Sequence, residues 1–103
     1  TYAADLAEAI MAVLNAPVPT AGIYHFSNEG ACSWYDFTKT IHELAGITQS
    51  NVRPIRTEDY PTPATRPSYS VLDKQKIKTT YNIAIPWWKE SLITCLKELG
   101  ELL

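Results

Sequence analysis

The segment 58–73 constrains the fold more than any other part of this sequence, because prolines interrupt it at positions 61, 63 and 67. Proline lacks a backbone donor and fixes φ, so neither a long helix nor a central strand can run through the segment. The residue before each proline is restricted to extended conformations. The sequence therefore predicts a stiff, extended loop at the surface.

This loop carries side chains that suit an anionic ligand rich in hydroxyl groups. Arg66 can hold a phosphate through two parallel hydrogen bonds. The other candidate contacts are four hydroxyl residues and two tyrosines, namely Thr62, Thr65, Ser68, Ser70, Tyr60 and Tyr69. The alternative is a proline-rich connector in which Arg66 pairs with Glu58 or Asp59. The residue types of the loop alone leave both interpretations open.

Composition narrows the class of protein. The chain has 103 residues, enough for one domain, and a net charge of −2 without a basic run, which argues against a nucleic-acid partner. No apolar run is long enough to span a membrane. Cys32 and Cys95 have no partner at a metal or disulfide spacing and are predicted to be buried, reduced thiols of a cytoplasmic protein. A helical pattern starts almost at Thr1, which suggests a piece of a longer polypeptide.

Four segments have apolar residues at helical spacing and typical end signals, which predicts four helices. Their predicted bounds are 5–14, 33–46, 73–80 and 86–99. Ser33 and Asp36 predict a capping box at the start of the second helix, and Gly46 is predicted to end it. The first helix has one larger apolar face and alanines elsewhere, so it can pack against neighbours on more than one side. The residues predicted to face inward on the later helices are Trp34, Phe37, Ile41, Leu44, Leu72, Ile77, Tyr81, Trp88, Leu92, Cys95, Leu96 and Leu99.

Two segments between the helices predict a small sheet. Residues 22–28 and 52–55 are rich in β-forming types, and a strand, helix and strand in this order favour a parallel right-handed crossover. The predicted fold class is therefore α/β: a small mixed domain of about four helices and a two- to three-stranded, mainly parallel sheet. Because so narrow a parallel sheet is unusual, we expect the domain to be the appendage of a larger one. Ligands bind where such strands end, which favours binding by residues 28–34 and by Arg66.

The catalytic and metal-binding motifs are weak. Tyr35 and Lys39 have the Tyr-x-x-x-Lys spacing, but no glycine-rich cofactor turn precedes them, so we predict an ordinary helix surface. His25 and His42 have no second ligand nearby, so no metal site is predicted. Adjacent Trp87 and Trp88 cannot both face one core, and one of them is predicted to be exposed.

Two long runs resemble one enzyme family. Residues 22–37 (GIYHFSNEGACSWYDF) and 57–74 (TEDYPTPATRPSYSVLDK), supported by 2–7 and 85–92, look like the dTDP-4-dehydrorhamnose reductases. These oxidoreductases are extended short-chain dehydrogenases/reductases of dTDP-rhamnose biosynthesis, and they reduce the C4 ketone of dTDP-4-dehydro-L-rhamnose with NADPH to dTDP-L-rhamnose. The resemblance covers essentially the whole chain. It implies that residues 1–103 are the C-terminal, substrate-binding domain of a Rossmann-type reductase.

The resemblance also implies where the functional groups lie. NADPH and the catalytic residues belong to an N-terminal Rossmann domain that is not in this sequence, so the fragment alone should be inactive, with no catalytic, cofactor or metal residue. Arg66 is expected to reach the nucleotide diphosphate. The residues expected to line the sugar-nucleotide pocket are Glu29, Trp34, Tyr60 and Tyr69.

The implied partners are a dTDP-sugar and the chain's own Rossmann domain, and a homodimer is compatible with exposed alanine and tryptophan surfaces. Two alternatives stay open. The complete protein could be another sugar-nucleotide epimerase or dehydratase. It could also be a non-enzymatic regulatory relative that binds a protein partner. The residues that would separate these classes lie outside the sequence.

Overall fold

Regular structure in the computed structural model, which describes all 103 residues, consists of helices alone. The four α-helices and one short 3-10 turn have the bounds α1 Ala3–Leu14, α2 Trp34–Ala45, the turn Thr57–Asp59, α3 Gln75–Tyr81 and α4 Trp88–Glu98. The four predicted helices therefore all form, within a few residues of their predicted ends. None of them is long and apolar enough to cross a membrane.

The predicted α/β fold class is wrong, because the structure contains no sheet. Residues 22–28 and 52–55 are not strands, and Ile23 and Ile55 are 78% and 64% exposed. β-propensity reflects how well a side chain fits a paired, half-buried surface, and neither segment has a neighbouring strand to pair with. The one β-type contact is an isolated parallel bridge between Glu29 and Trp87.

The ends of α2 follow local sequence signals closely. Ser33 and Asp36 form the predicted reciprocal cap, in which each backbone N–H donates to the other residue's side chain at 3.0 Å. The Ser33 backbone N–H and hydroxyl both donate to the Asp36 carboxylate, and these two hydrogen bonds hold the pKa of that carboxyl below its usual value. Gly46 ends the helix with φ of 66°, a left-handed conformation that glycine adopts without strain.

The apolar core is small, and its most buried side chains come from α1, α3 and α4. Its most buried apolar side chains are Ala9, Ile77, Leu92 and Leu96, and the last three confirm the predicted inward faces of α3 and α4. Phe37 of α2 contacts Trp88 of α4 with ring centroids 6.1 Å apart. By contrast, Trp34 is 86% exposed and Leu99 is 66% exposed, so the predicted buried stripes are only partly buried.

Candidate functional site

A buried polar network fixes the loop from which the site is built. The Asn28 side-chain oxygen accepts a hydrogen bond from the backbone N–H of Tyr2 at 2.7 Å. Its Nδ2 donates to the Asp5 carboxylate at 2.6 Å and to Ser91 Oγ at 2.9 Å. The Ser91 hydroxyl donates in turn to Asp5 at 2.5 Å. Since Asp5 lies on α1 and Ser91 on α4, the network holds residue 28 between two helices.

The backbone after Asn28 is also fixed. The Glu29 N–H donates to the Pro86 carbonyl and the Trp88 N–H donates to the Glu29 carbonyl, both at 2.9 Å. These two hydrogen bonds form the isolated bridge to the segment before α4. The position of Glu29 is therefore set from both sides, which is what preorganises a binding residue.

Glu29 lies between two lysines of the α3 region. Lys78 Nζ is 2.9 Å from one carboxylate oxygen, and Lys74 Nζ is 3.5 Å from the other. Lys74 is almost fully buried, and its ammonium also donates to the Asn28 carbonyl at 3.0 Å. The hydrogen bond from Lys78, aided by the charges of both lysines, lowers the pKa of Glu29 against a smaller opposing effect of burial. Two ammonium groups and one carboxylate leave this cluster with one net positive charge.

This ion cluster predicts a specific pH dependence for a Glu29→Gln variant. Because pairing lowers the Glu29 pKa below its ordinary 4.5, the carboxylate stabilises the folded state above that pH. The contribution is lost as pH falls through the lowered pKa. Urea unfolding at neutral pH should show the variant less stable by on the order of 1 kcal/mol, since the Lys78–Glu29 pair is partly exposed and only Lys74 is buried. The two proteins should converge in acid, and a difference that persists there would contradict the assignment.

The cluster forms one wall of a cleft of about 390 Å³. Residues 29–31, the end of the proline-rich loop at Tyr69, the start of α3 and Trp87 line it. Its volume lies within the range of small-molecule sites. It offers an aromatic face, ammonium donors and a carboxylate acceptor, which together can contact a hydroxylated, anionic ligand.

Gly30 and Trp87 are in close contact at the edge of the cleft. A Cβ at Gly30 would lie 2.8 Å from two atoms of the indole ring, and the glycine has φ of 91°. The ring can therefore lie against the backbone only because residue 30 has no side chain. Trp87 remains 50% exposed, while neighbouring Trp88 packs against Phe37, so one tryptophan is exposed as predicted.

The structure brings some of the predicted site residues together. Glu29 and Tyr69 line the cleft, although Tyr69 is 74% exposed. Trp34, Tyr60 and Arg66 do not line it. Trp34 instead stands edge-on to Phe37 with ring centroids 6.4 Å apart, and Tyr60 follows the 3-10 turn at 70% exposure.

Arg66 is exposed and forms no ion pair. The connector interpretation, in which it pairs with Glu58 or Asp59, is therefore not what the structure contains. Asp59 accepts a hydrogen bond from the Arg56 backbone instead. The guanidinium is left free to bind a ligand.

Sequence reasoning missed three side chains of the cleft, Lys74, Lys78 and Trp87. Lys74 and Lys78 are four residues apart, a spacing that puts two side chains on one face of a helix. The sequence therefore shows that the two lysines can share a helix face, but the residues around them do not show that this face contacts Glu29. The contact depends on tertiary structure, because 45 or more residues separate the lysines from the glutamate.

A second depression of about 480 Å³ runs along the outer face of α2. Polar and charged side chains dominate its lining, and Lys39 belongs to it whereas Tyr35 does not. The Tyr-x-x-x-Lys pair therefore does not form a shared site there. No group of three or more histidine, cysteine, aspartate and glutamate side chains is positioned to hold a metal ion.

Comparison with known proteins identifies the family. Residues 1–101 match the family model described as the RmlD substrate binding domain. The chain belongs to this family. The family resemblance noted in the sequence is thereby confirmed for essentially the full length.

The curated relatives that the chain matches are longer than the chain itself. It is 40% identical to the spore coat polysaccharide biosynthesis protein SpsK of Bacillus subtilis, covering 95% of this chain and 33% of that protein. It is 35% identical to the dTDP-4-dehydrorhamnose reductase of Escherichia coli over 90% of this chain and 32% of the enzyme. The reductase of Burkholderia thailandensis is 32% identical, with 78% and 29% covered. The chain thus spans about a third of these relatives, and no solved structure matches it.

Proposed function

We propose that the chain is the substrate-binding portion of a dTDP-4-dehydrorhamnose reductase. The complete protein would reduce the C4 ketone of dTDP-4-dehydro-L-rhamnose with NADPH and release dTDP-L-rhamnose. The observation that carries this proposal is the match of residues 1–101 to the RmlD substrate binding domain, together with relatives that bear the reductase name. The SpsK relative, named for polysaccharide biosynthesis, is compatible with the same class of substrate.

We place the dTDP-sugar in and beside the cleft of about 390 Å³. The Trp87 ring offers a flat surface to a sugar or base, and Glu29 offers a fixed acceptor for hydroxyl groups. Arg66 is three residues from Tyr69, so it can lie no more than ~11 Å along the chain from the cleft. A free guanidinium at that distance suits the diphosphate, whose charge an arginine fork matches in geometry.

NADPH is assigned to another part of the complete protein, which we take to be an N-terminal Rossmann domain. The residues of this chain do not fit the cofactor: the chain has four glycines and no glycine-rich turn before a helix. The Asp36 amide in the first turn of α2 is taken by the Ser33 cap. NADPH supplies the hydride when bound. This chain would bind and orient the sugar nucleotide, and that orientation lowers the barrier for chemistry carried out elsewhere.

A cytoplasmic location belongs to the same proposal. Both cysteines are free thiols, but Cys32 is exposed, so its predicted burial is wrong, and Cys95 is half-buried. A homodimer stays a prediction.

The direct test uses the full-length protein with NADPH and dTDP-4-dehydro-L-rhamnose. NADPH oxidation with formation of dTDP-L-rhamnose is expected. Calorimetric binding of dTDP without reduction would favour an epimerase or dehydratase and contradict the reductase. Absence of both binding and reduction would favour the regulatory relative.

Arg66→Ala in the full-length reductase should raise KM by roughly 10- to 100-fold with kcat little changed. A charge-assisted hydrogen bond contributes about 1.5–3 kcal/mol, and the diphosphate is bound alike in ground and transition states. Steady-state kinetics and titration with dTDP measure the effect. Arg53→Ala, another exposed arginine before a proline segment, is the matched control and should leave KM unchanged. A fall in kcat at constant KM would refute the diphosphate role.

A further inference from the structure

The first helix exposes a continuous apolar face. Leu6, Ile10, Met11 and Leu14, here called the α1 face, are 40%, 50%, 53% and 71% exposed. At 3.6 residues per turn they span an arc of roughly 140°. The only other residues within that arc are Ala3 and Ala7, so no charged or polar side chain interrupts it. These residues include most of the apolar face that the sequence pattern indicated.

α1 cannot bury this face by turning about its axis. Its opposite side is held by the hydrogen bonds of Asp5 to Asn28 and Ser91, and by the Tyr2 hydroxyl, which donates to Glu98 of α4. Ala9, on the same side as Asp5, is 4% exposed. Rotating the α1 face inward would break these contacts and expose a buried polar network. The outward direction of the face is therefore part of the fold.

The chain as a whole is also packed more loosely than a compact domain. The Cα radius of gyration is 16.7 Å. A compact domain of this length has a value of roughly 13 Å. No side chain is fully buried. An apolar face on a thinly packed domain indicates a surface that is covered in the complete molecule.

We propose that the α1 face is the surface on which the remainder of the same polypeptide packs. The curated relatives of the family are about three times as long as this chain, which covers 33%, 29% and 32% of them. In a polypeptide of that length about two-thirds of the residues lie outside this chain, and an apolar, uncharged surface on that part would be the complement of the α1 face. The inference rests on family membership and on the geometry of α1, and does not depend on the proposed ligand.

The size of the face favours this occupant over a second copy of the chain. A helix of 12 residues is ~18 Å long and ~10 Å wide, so one face offers on the order of 200 Å². A stable interface between separate molecules buries about 800 Å² on each partner. Packing within one polypeptide needs less area, since the two parts are held at high effective concentration.

The test measures thiol reactivity in the full-length protein. Cys32→Ser and Cys95→Ala remove the two thiols of this chain. Any cysteine in the rest of the full-length protein is replaced by serine as well, and Ile10→Cys is compared with Ala12→Cys in that background. Ala12 is exposed on the same helix but lies on the opposite side from the α1 face. If the face is covered, a maleimide should modify residue 10 at least about tenfold more slowly than residue 12, because the reaction needs local opening.

The dependence of the reaction rates on protein concentration distinguishes packing within one polypeptide from packing against a second copy. Rates are measured down to a concentration at which sedimentation shows a monomer. Protection that persists in the monomer supports packing within one polypeptide. Protection lost with the dimer would show that a second copy covers the face, and equal rates at both positions would show that nothing does. Either of these results overturns the proposal. No ligand is present in the assay, so its outcome is independent of whether the cleft binds dTDP.

Discussion

Replacing Asn28 by alanine is expected to lower the free energy of unfolding by about 3 kcal/mol, since each buried partner left unsatisfied costs ~1–3 kcal/mol. The change removes the acceptor for the Tyr2 N–H and the donor to Asp5 and Ser91. Asn28 and Ser91 are both buried, so water does not readily replace the lost contacts. Urea unfolding of the full-length protein, followed by far-UV circular dichroism, measures the effect.

The matched control is Asn51→Ala, because Asn51 is exposed and forms no side-chain hydrogen bond. It should change stability by no more than ~0.5 kcal/mol. If the two variants were equally stable, the network around Asn28 would have no role in holding α1 to α4. A loss of stability confined to Asn28→Ala would also be expected to weaken dTDP binding, since Asn28 anchors the chain next to Glu29, which lines the cleft.

Gly30→Ala should have an effect of similar size, at about 2–4 kcal/mol from left-handed strain and displacement of a packed side chain together. The added Cβ would lie 2.8 Å from atoms of the Trp87 ring, so the indole must move. Because Trp87 forms one wall of the cleft, we expect at least about a tenfold weaker affinity for dTDP as well. Denaturant unfolding and calorimetric titration of the full-length protein measure the two effects.

Gly100→Ala separates the strain from the contact. Gly100 has φ of 73°, but no atom lies within 4 Å of the position that an added methyl group would occupy. This variant should lose only the left-handed strain, about 1 kcal/mol, and should bind dTDP normally. Equal effects of the two substitutions on stability and affinity would show that contact with Trp87 is unimportant.

The parts of the fold that could be predicted are those that depend on residues close together in the sequence. The Ser33 and Asp36 cap and the terminal Gly46 are local signals, and they mark the ends of α2 correctly. The stripe of Leu92 and Leu96 likewise predicts which side of α4 is buried.

The parts that could not be predicted depend on what a segment meets in space. Ile23 and Tyr24 have strand propensity, but a strand also requires a neighbour, which residues 22–28 do not find within this chain. The periodicity of Leu6, Ile10 and Leu14 shows an apolar face but does not say what covers it. In the same way, Glu29 and Tyr69 were predicted for the site, whereas Lys74, Lys78 and Trp87 were missed because distant contacts bring them there.

The bridge between Glu29 and Trp87 bears on the order in which this molecule folds. It joins residues separated by 58 positions, so a long loop must close before its two hydrogen bonds can form. Helices α2 and α3 lie within that loop and can form from local contacts much earlier. Glu29 and Trp87 are the two ends of this loop, and both line the cleft. The cleft therefore cannot form until the loop has closed. No short peptide from this sequence therefore contains the site, and an intact cleft marks a chain whose distant segments have already met.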